Sequence, residues 1–151
     1  MDDVVIDLAG PDDVDDLAAL RVRWITGATT AEADFIETFR RWWSLEQPQR
    51  VFWIARRAGS PVGMVNLTMA HRMPSPTEHD RGAWAYLGNM FVVEYERDQG
   101  VGRRLLDSVI AHAEAAGVAR ILLRPSERAR PFYERADFAP ADDDVVMRHS
   151  S

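Results

Sequence analysis

The sequence predicts an α+β domain: a mixed α/β sheet, antiparallel early and parallel late, flanked by helices. Three observations carry this. Short apolar runs with alternating character sit close together in the first half, separated by turn residues. A stretch with helical apolar spacing then lies between two apolar strand-like runs, the arrangement of a parallel strand pair with a helical crossover. The chain has 151 residues, 46% of them apolar, which fits one domain with its own core.

Val4 to Leu8 reads as a short strand, and Gly10-Pro11-Asp12 breaks it and starts a helix. Val14, Leu17, Leu20 and Trp24 fall on one face of that helix. Thr29-Thr30-Ala31-Glu32 fits a capping box. Behind it Phe35, Ile36, Phe39, Trp42 and Trp43 form an amphipathic stripe, which Gln47-Pro48 ends. Val51 to Arg56 reads as a strand, Gly59-Ser60-Pro61 as a turn, and Val62 to Ala70 as the partner strand. Arg72 to Gly82 is a polar loop, and Ala83 to Val93 a further strand, completing an antiparallel meander. Val101, Leu105, Val109 and Ala113 then mark a helix from about Gly100 to Ala116, with Gly117 past its end. Val118 to Leu123 is a short strand, Glu127 to Ala136 a short helix, and Val145 to Met147 a last strand closing the sheet.

Composition narrows the chemistry. There is no cysteine, which excludes disulfides, thiolate metal sites and cysteine nucleophiles. All 18 basic residues are arginine, which rules out a lysine Schiff base and a P-loop lysine. The net charge of −6 argues against a general nucleic-acid binder. No apolar run approaches a membrane span, and Met1-Asp2-Asp3 is acidic where a signal peptide would be basic; a cytoplasmic protein is expected. No His-x-x-x-His spacing supports a metal site, and none is expected. Charge is unevenly placed. Asp2, Asp3, Asp7, Asp12, Asp13, Asp15 and Asp16 crowd the start, whereas Arg97, Arg103, Arg104, Arg120, Arg124, Arg128, Arg130 and Arg135 crowd the last third. The arginine cluster suggests an anionic ligand within an acidic protein; the competing reading is a solvated helix face.

Gly100 and Gly102 stand between a strand and a helix. Glycine permits positive φ and close backbone approach, and the first turn of a helix leaves N–H groups unpaired. Together they favour a phosphate or pyrophosphate, with Arg103 and Arg104 placed to pair with its oxygens. The loop lacks the Gly-Lys-Ser/Thr of a Walker A motif and the third glycine of a dinucleotide fingerprint.

At these residues the chain resembles the GNAT superfamily of N-acetyltransferases. Arg97-Asp98-Gln99-Gly100-Val101-Gly102 matches the family's acetyl-CoA motif Arg/Gln-x-x-Gly-x-Gly/Ala, and Leu87 to Val93 looks like the strand leading into it. Ser126 to Phe138, with Pro131-Phe132-Tyr133 at its centre, resembles the second signature, Asn-x-x-Ala-x-x-Leu-Tyr-x-x-x-Gly-Phe. The match covers about a third of the chain. Three positions depart from it: Ser126 replaces Asn, Asp137 replaces Gly and is expected to reshape that turn, and Gly88 stands where many relatives carry a Glu proposed as the general base.

The resemblance implies a GNAT-like fold in which acetyl-CoA, as co-substrate, lies between two splayed parallel strands. Backbone groups near Phe91, Val92 and Val93 would pair with its pantetheine arm and polarise the thioester carbonyl. Arg97, Asp98 and the loop from Gln99 through Gly100, Val101 and Gly102 to Arg103 would hold the pyrophosphate. Ser126 would add a hydrogen bond, and Arg128 and Arg130 contacts to the outer phosphate. Tyr133 would protonate the leaving thiolate, core packing being its plainer reading. Glu94 heads the candidate bases, ahead of His71, Glu78, His79 and Asp80. The acceptor site would form from the early helices and the long loop. Trp24, Phe35, Phe39, Trp42, Trp43 and Trp53 serve mostly as core, and one or two tryptophans would line a pocket for an apolar or cationic amine. The expected activity is acetylation of a small-molecule primary amine by direct attack, in a protein forming a homodimer at most and binding neither nucleic acid nor membrane. A protein or peptide amine as acceptor, a non-catalytic acyl-CoA sensor, and a different nucleotide-binding α/β protein remain as alternatives.

Overall fold

A computed structural model describes residues 3–77 and 83–140. Five strands form one sheet in chain order: β1 (Val4–Leu8), β2 (Arg50–Arg57), β3 (Ser60–Ala70), β4 (Ala83–Val92) and β5 (Val118–Leu122). The first three pairings are antiparallel and the last is parallel, as the two apolar periods require. Helices α1 (Val14–Thr26) and α2 (Ala33–Glu46) follow β1. Helix α3 (Val101–Ala115) is the crossover between the parallel strands β4 and β5, and α4 (Arg130–Glu134) is the last described helix. The expected strand Val145 to Met147 lies outside the described residues.

Alternation along β2 and β3 sends side chains to two helix layers. Phe52 meets Trp42 and Trp43 of α2, whereas Trp53 meets His112 of α3. Gly63 also faces α3: a Cβ there would stand 3.1 Å from Leu105 and 3.2 Å from the Phe91 carbonyl, so the helix crosses where β3 has no side chain. Val101, Leu105, Leu106 and Val109 of α3 are buried in the same core as Ile54, Val62 and Leu67.

The local signals hold with three departures. The β2–β3 hairpin turns at Ala58 and Gly59, both with positive φ, so Ser60 and Pro61 already belong to β3. The expected capping box at Thr29 to Glu32 does not form. Helix α2 starts later, at Ala33, with Glu32 extended at φ −72° and ψ 150° and no side-chain cap. The last helix is also shorter than expected, although Ser126 already accepts hydrogen bonds from the Ala129 and Arg130 amides.

Two irregularities in β4 shape the site. Between Met64 and Asn66 of β3, β4 spends one residue too many, a bulge at which Asn89 takes φ +56°. Pairing with β5 stops at Tyr86 and Leu122, so the rest of β4 lacks a strand neighbour on that side. The parallel pair therefore opens into a V.

Candidate functional site

Past the V, β4 runs into a 3-10 turn (Glu94–Glu96) and then the glycine loop. The turn is fixed by Glu96, which is buried and takes a bidentate pair of hydrogen bonds from Arg57 at 2.6 and 3.0 Å. Gly100 adopts φ +85°, which glycine alone takes without steric cost, and becomes the N-cap of α3. The first intrahelical bond runs from the Arg104 amide to the Gly100 carbonyl at 3.1 Å, leaving the amides of Val101, Gly102 and Arg103 without helical acceptors. Gly102 packs beneath α4: a Cβ there would come within 3.5 Å of the Phe132 ring.

A groove opens in front of these amides. Its walls include Trp24, Met90 and Val92 on one side and Ser126, Arg128 and Phe132 on the other. Arg97, Arg103, Arg128 and Arg135 outnumber Glu96 and Asp98 along it, and Glu96 is already neutralised by Arg57. Positive side chains, free helical amides and a helix N-terminus converge there, and the donor set fits a pyrophosphate.

Of the residues expected to hold the cofactor, Val92, Arg97, Asp98, Gly100, Gly102, Arg103 and Ser126 line the groove. Phe91, Val93 and Val101 do not; all three are buried in the core. The amide of Val93 is also spent, donating to the Val62 carbonyl at 2.9 Å. Backbone polarity alternates along a strand, so Val92 turns its groups towards the V, and its carbonyl accepts from Arg97 Nε at 3.2 Å. The backbone groups presented to the V are thus those of Val92 and not of Phe91 or Val93. Gln99 is exposed and contributes no wall. Arg104 points away, donating to the Val4 carbonyl on β1. Trp24, Met90, Phe132 and Arg135 were not read from the sequence as groove residues. Arg135 alone carried a signal, as a member of the arginine cluster.

Tyr133 and Phe132 are neighbours that part company. Phe132 faces the groove, and Tyr133 faces a second cavity of about 420 Å³ beside Leu122, Leu123 and Arg124 at the end of β5. Tyr133 packs edge-on against Phe132 and Phe138, and burial pushes its phenol up to about 12. It is both core aromatic and protonated acid. Asp137, where the resemblance expected a changed turn, sits at φ +68° and so keeps the left-handed conformation that a glycine would adopt.

Glu94 is not built as a base. It lies half exposed on the turn, paired with Arg23 at 3.0 Å. Its carboxyl is held below the usual range by its own backbone N–H and by the Arg23 and Arg97 guanidiniums. His71 is exposed on the loop, and Glu78, His79 and Asp80 lie outside the described residues.

On the α1–α2 side of the sheet is a cavity of about 330 Å³. Phe35, Phe39, Trp42 and Phe52 form its aromatic wall, and Arg21, Asn66 and Asn89 supply polar groups. Trp42 is the tryptophan that lines it; Trp43 and Trp53 are core, and Trp24 belongs to the groove. The β4 bulge contributes to both spaces, Asn89 lining the cavity and Met90 the groove. Gly88, just before the bulge, faces the Asn66 amide, 3.7 Å from where its Cβ would stand.

The family model described as the acetyltransferase (GNAT) family matches residues 17–138. Solved structures share the fold. A protein of Clostridium acetobutylicum, described as a predicted acetyltransferase and solved with acetyl-CoA, is 20% identical, with 97% of this chain and 96% of that one covered and a TM-score of 0.76. Glucosamine-6-phosphate N-acetyltransferase of Arabidopsis thaliana is 14% identical over 98% and 99% of the two chains, with a TM-score of 0.75. A GCN5-related N-acetyltransferase of Ralstonia eutropha is 19% identical over 97% and 99%, with a TM-score of 0.70. At these identities the likeness is one of fold. No curated protein matches the sequence.

Proposed function

The chain belongs to the acetyltransferase (GNAT) family, and from that premise we propose that it moves an acetyl group from acetyl-CoA to a primary amine of a small molecule, by direct attack. The observation that carries this reading is the pair of spaces to which the β4 bulge contributes: a groove suited to a pyrophosphate, lined by Met90, and a cavity suited to a small organic acceptor, lined by its chain neighbour Asn89. A cavity of about 330 Å³ suits a small molecule better than a protein segment, which would need an open groove.

When bound, acetyl-CoA supplies the thioester carbonyl that the amine attacks, so that a C–N bond forms as the C–S bond breaks. The free amides at the start of α3, with Arg97, Arg103 and Arg128, hold the pyrophosphate. The outward backbone groups of Val92 pair with the extended arm. Tyr133 holds a proton across the neutral range and is the motif's donor for the departing sulfur, which it must reach from the cavity it lines at the end of β5. Among the described residues no carboxylate lines the acceptor cavity.

Calorimetric titration with acetyl-CoA, with ATP and NAD as controls, tests the reading. Saturable binding of acetyl-CoA alone is expected, and its loss in the double variant Arg97→Ala/Gly100→Asp. A folded sample that binds no acetyl-CoA would overturn it.

A further inference from the structure

The cavity beside the bulge holds an imbalance that the acetyl-transfer reading leaves unused. Its walls are aromatic and aliphatic, yet among the described residues they include Arg21 and no Asp or Glu. Among the described residues no carboxylate pairs with Arg21, whose guanidinium lies over the Trp24 ring at 4.8 Å. Asn66 adds a second donor. It is 4% exposed, and its Oδ1 accepts from Arg50 Nη1 at 3.1 Å. Arginine only donates, so this bond fixes the amide's orientation and leaves Nδ2, without a protein acceptor, as the group turned elsewhere. Thr38 adds no free donor, because its hydroxyl already donates to the Asp34 carbonyl at 3.0 Å. Two donors with spare capacity and no opposing acceptor charge, in an otherwise apolar space, complement an anion.

We propose that the acceptor carries a carboxylate bound by Arg21 and Asn66, beside its amine and an apolar body packed on Phe35, Phe39 and Trp42: a hydrophobic amino acid. The volume, about 330 Å³, lies at the small end of the roughly 300–1,000 Å³ typical of ligand pockets, in keeping with one such molecule. This narrows the expectation of an apolar or cationic amine to one that also carries a carboxylate. The amine's fate rests on the acetyl-transfer reading, whereas capture of the carboxylate does not.

The test therefore separates the two. Tryptophan fluorescence follows binding of 3-phenylpropionate, which has the carboxylate but no amine, and of phenethylamine, which has the amine but no carboxylate. Saturable binding of 3-phenylpropionate is expected, weakened roughly tenfold by Arg21→Met and largely restored by Arg21→Lys. Phenethylamine should bind more weakly and be indifferent to Arg21→Met. Equal affinity for the two probes, or an equal loss of both in Arg21→Met, would overturn the proposal. With acetyl-CoA present, L-phenylalanine should be acetylated with a lower KM than phenethylamine, and Arg21→Met should raise the KM for L-phenylalanine alone. Arg21-dependent binding of 3-phenylpropionate by a chain that ignores acetyl-CoA would sink the transferase reading and leave the carboxylate site standing.

Discussion

Tyr133 joins a core-packing role to the proposed chemical one. Burial between Phe132 and Phe138 stabilises the neutral phenol and lifts it to about 12. A raised value means that the proton stays on at every pH a turnover assay uses, and that only strongly alkaline solution removes it. Tyr133→Phe keeps the ring packing and deletes the proton. The expected outcome is a fall in kcat on the order of 100-fold, with acetyl-CoA affinity unchanged. Steady-state kinetics and calorimetry on the same preparation check both halves; unchanged turnover would remove Tyr133 from the chemistry and leave it a core aromatic. The second signature made this residue legible in the sequence. Nothing there told which neighbour faces the groove, because Phe132 and Tyr133 sit on a helix of only five residues whose rotation is set by packing.

At the scale of elements, strands and long helices were legible and their junctions were not. Val4–Leu8 has the bounds its apolar run implies, and α3 ends where Gly117 takes positive φ. The capping box failed because Thr29 to Glu32 is a local pattern, and the chain leaving α1 is still extended at Glu32. The groove was legible as a glycine loop, but what holds the loop was not: Arg57 and Glu96 are 39 residues apart, and no local pattern links them. That pair ties the end of β2 to the turn from which the loop departs. Its Glu96 carboxyl is held below the usual range first by the hydrogen bond from Arg57. A depressed folded value means that the pair's contribution is complete above the unfolded carboxyl range and is lost as pH falls through the folded value. Glu96→Gln should therefore lower the urea midpoint at pH 7, and the difference should vanish as pH falls through the folded value, where the native carboxyl is protonated too. It should also weaken acetyl-CoA by roughly three- to tenfold, since a loosened loop must be ordered on binding. Urea melts at several pH values and a calorimetric titration at pH 7 read these effects. A midpoint shift that persists in acid would point to lost packing.

Across the whole molecule, stability is unevenly spread. Every residue from Val62 to Leu67 in β3 is buried and β2 lies beside them, whereas no residue of β5 is buried. Among the described residues strand β5 also pairs only with β4, from Ala83 to Tyr86. Its face of the V and the adjoining α4 are thus the part of the domain that opens most readily, and the sequence already hinted at this through the small size of both elements. A cofactor seated in the groove touches walls from both sides, Val92 on β4 and Ser126 and Arg128 beyond β5. It would supply the contacts that the splayed strands lack. Binding to the closed form alone suppresses local opening in proportion to saturation, by up to about 100-fold at a ligand concentration 100 times Kd. Amides in Val118–Leu122 and Arg130–Glu134 should accordingly exchange fastest among the regular elements of the free chain and slow by that order with acetyl-CoA. Amides in β2 and β3 already exchange through rarer, larger openings, and their rank as the slowest should persist. Hydrogen–deuterium exchange read by mass spectrometry, with and without acetyl-CoA, resolves these segments. If β5 and α4 were as protected as β3 in the free chain, the V would be rigid by itself and the cofactor would enter a preformed slot.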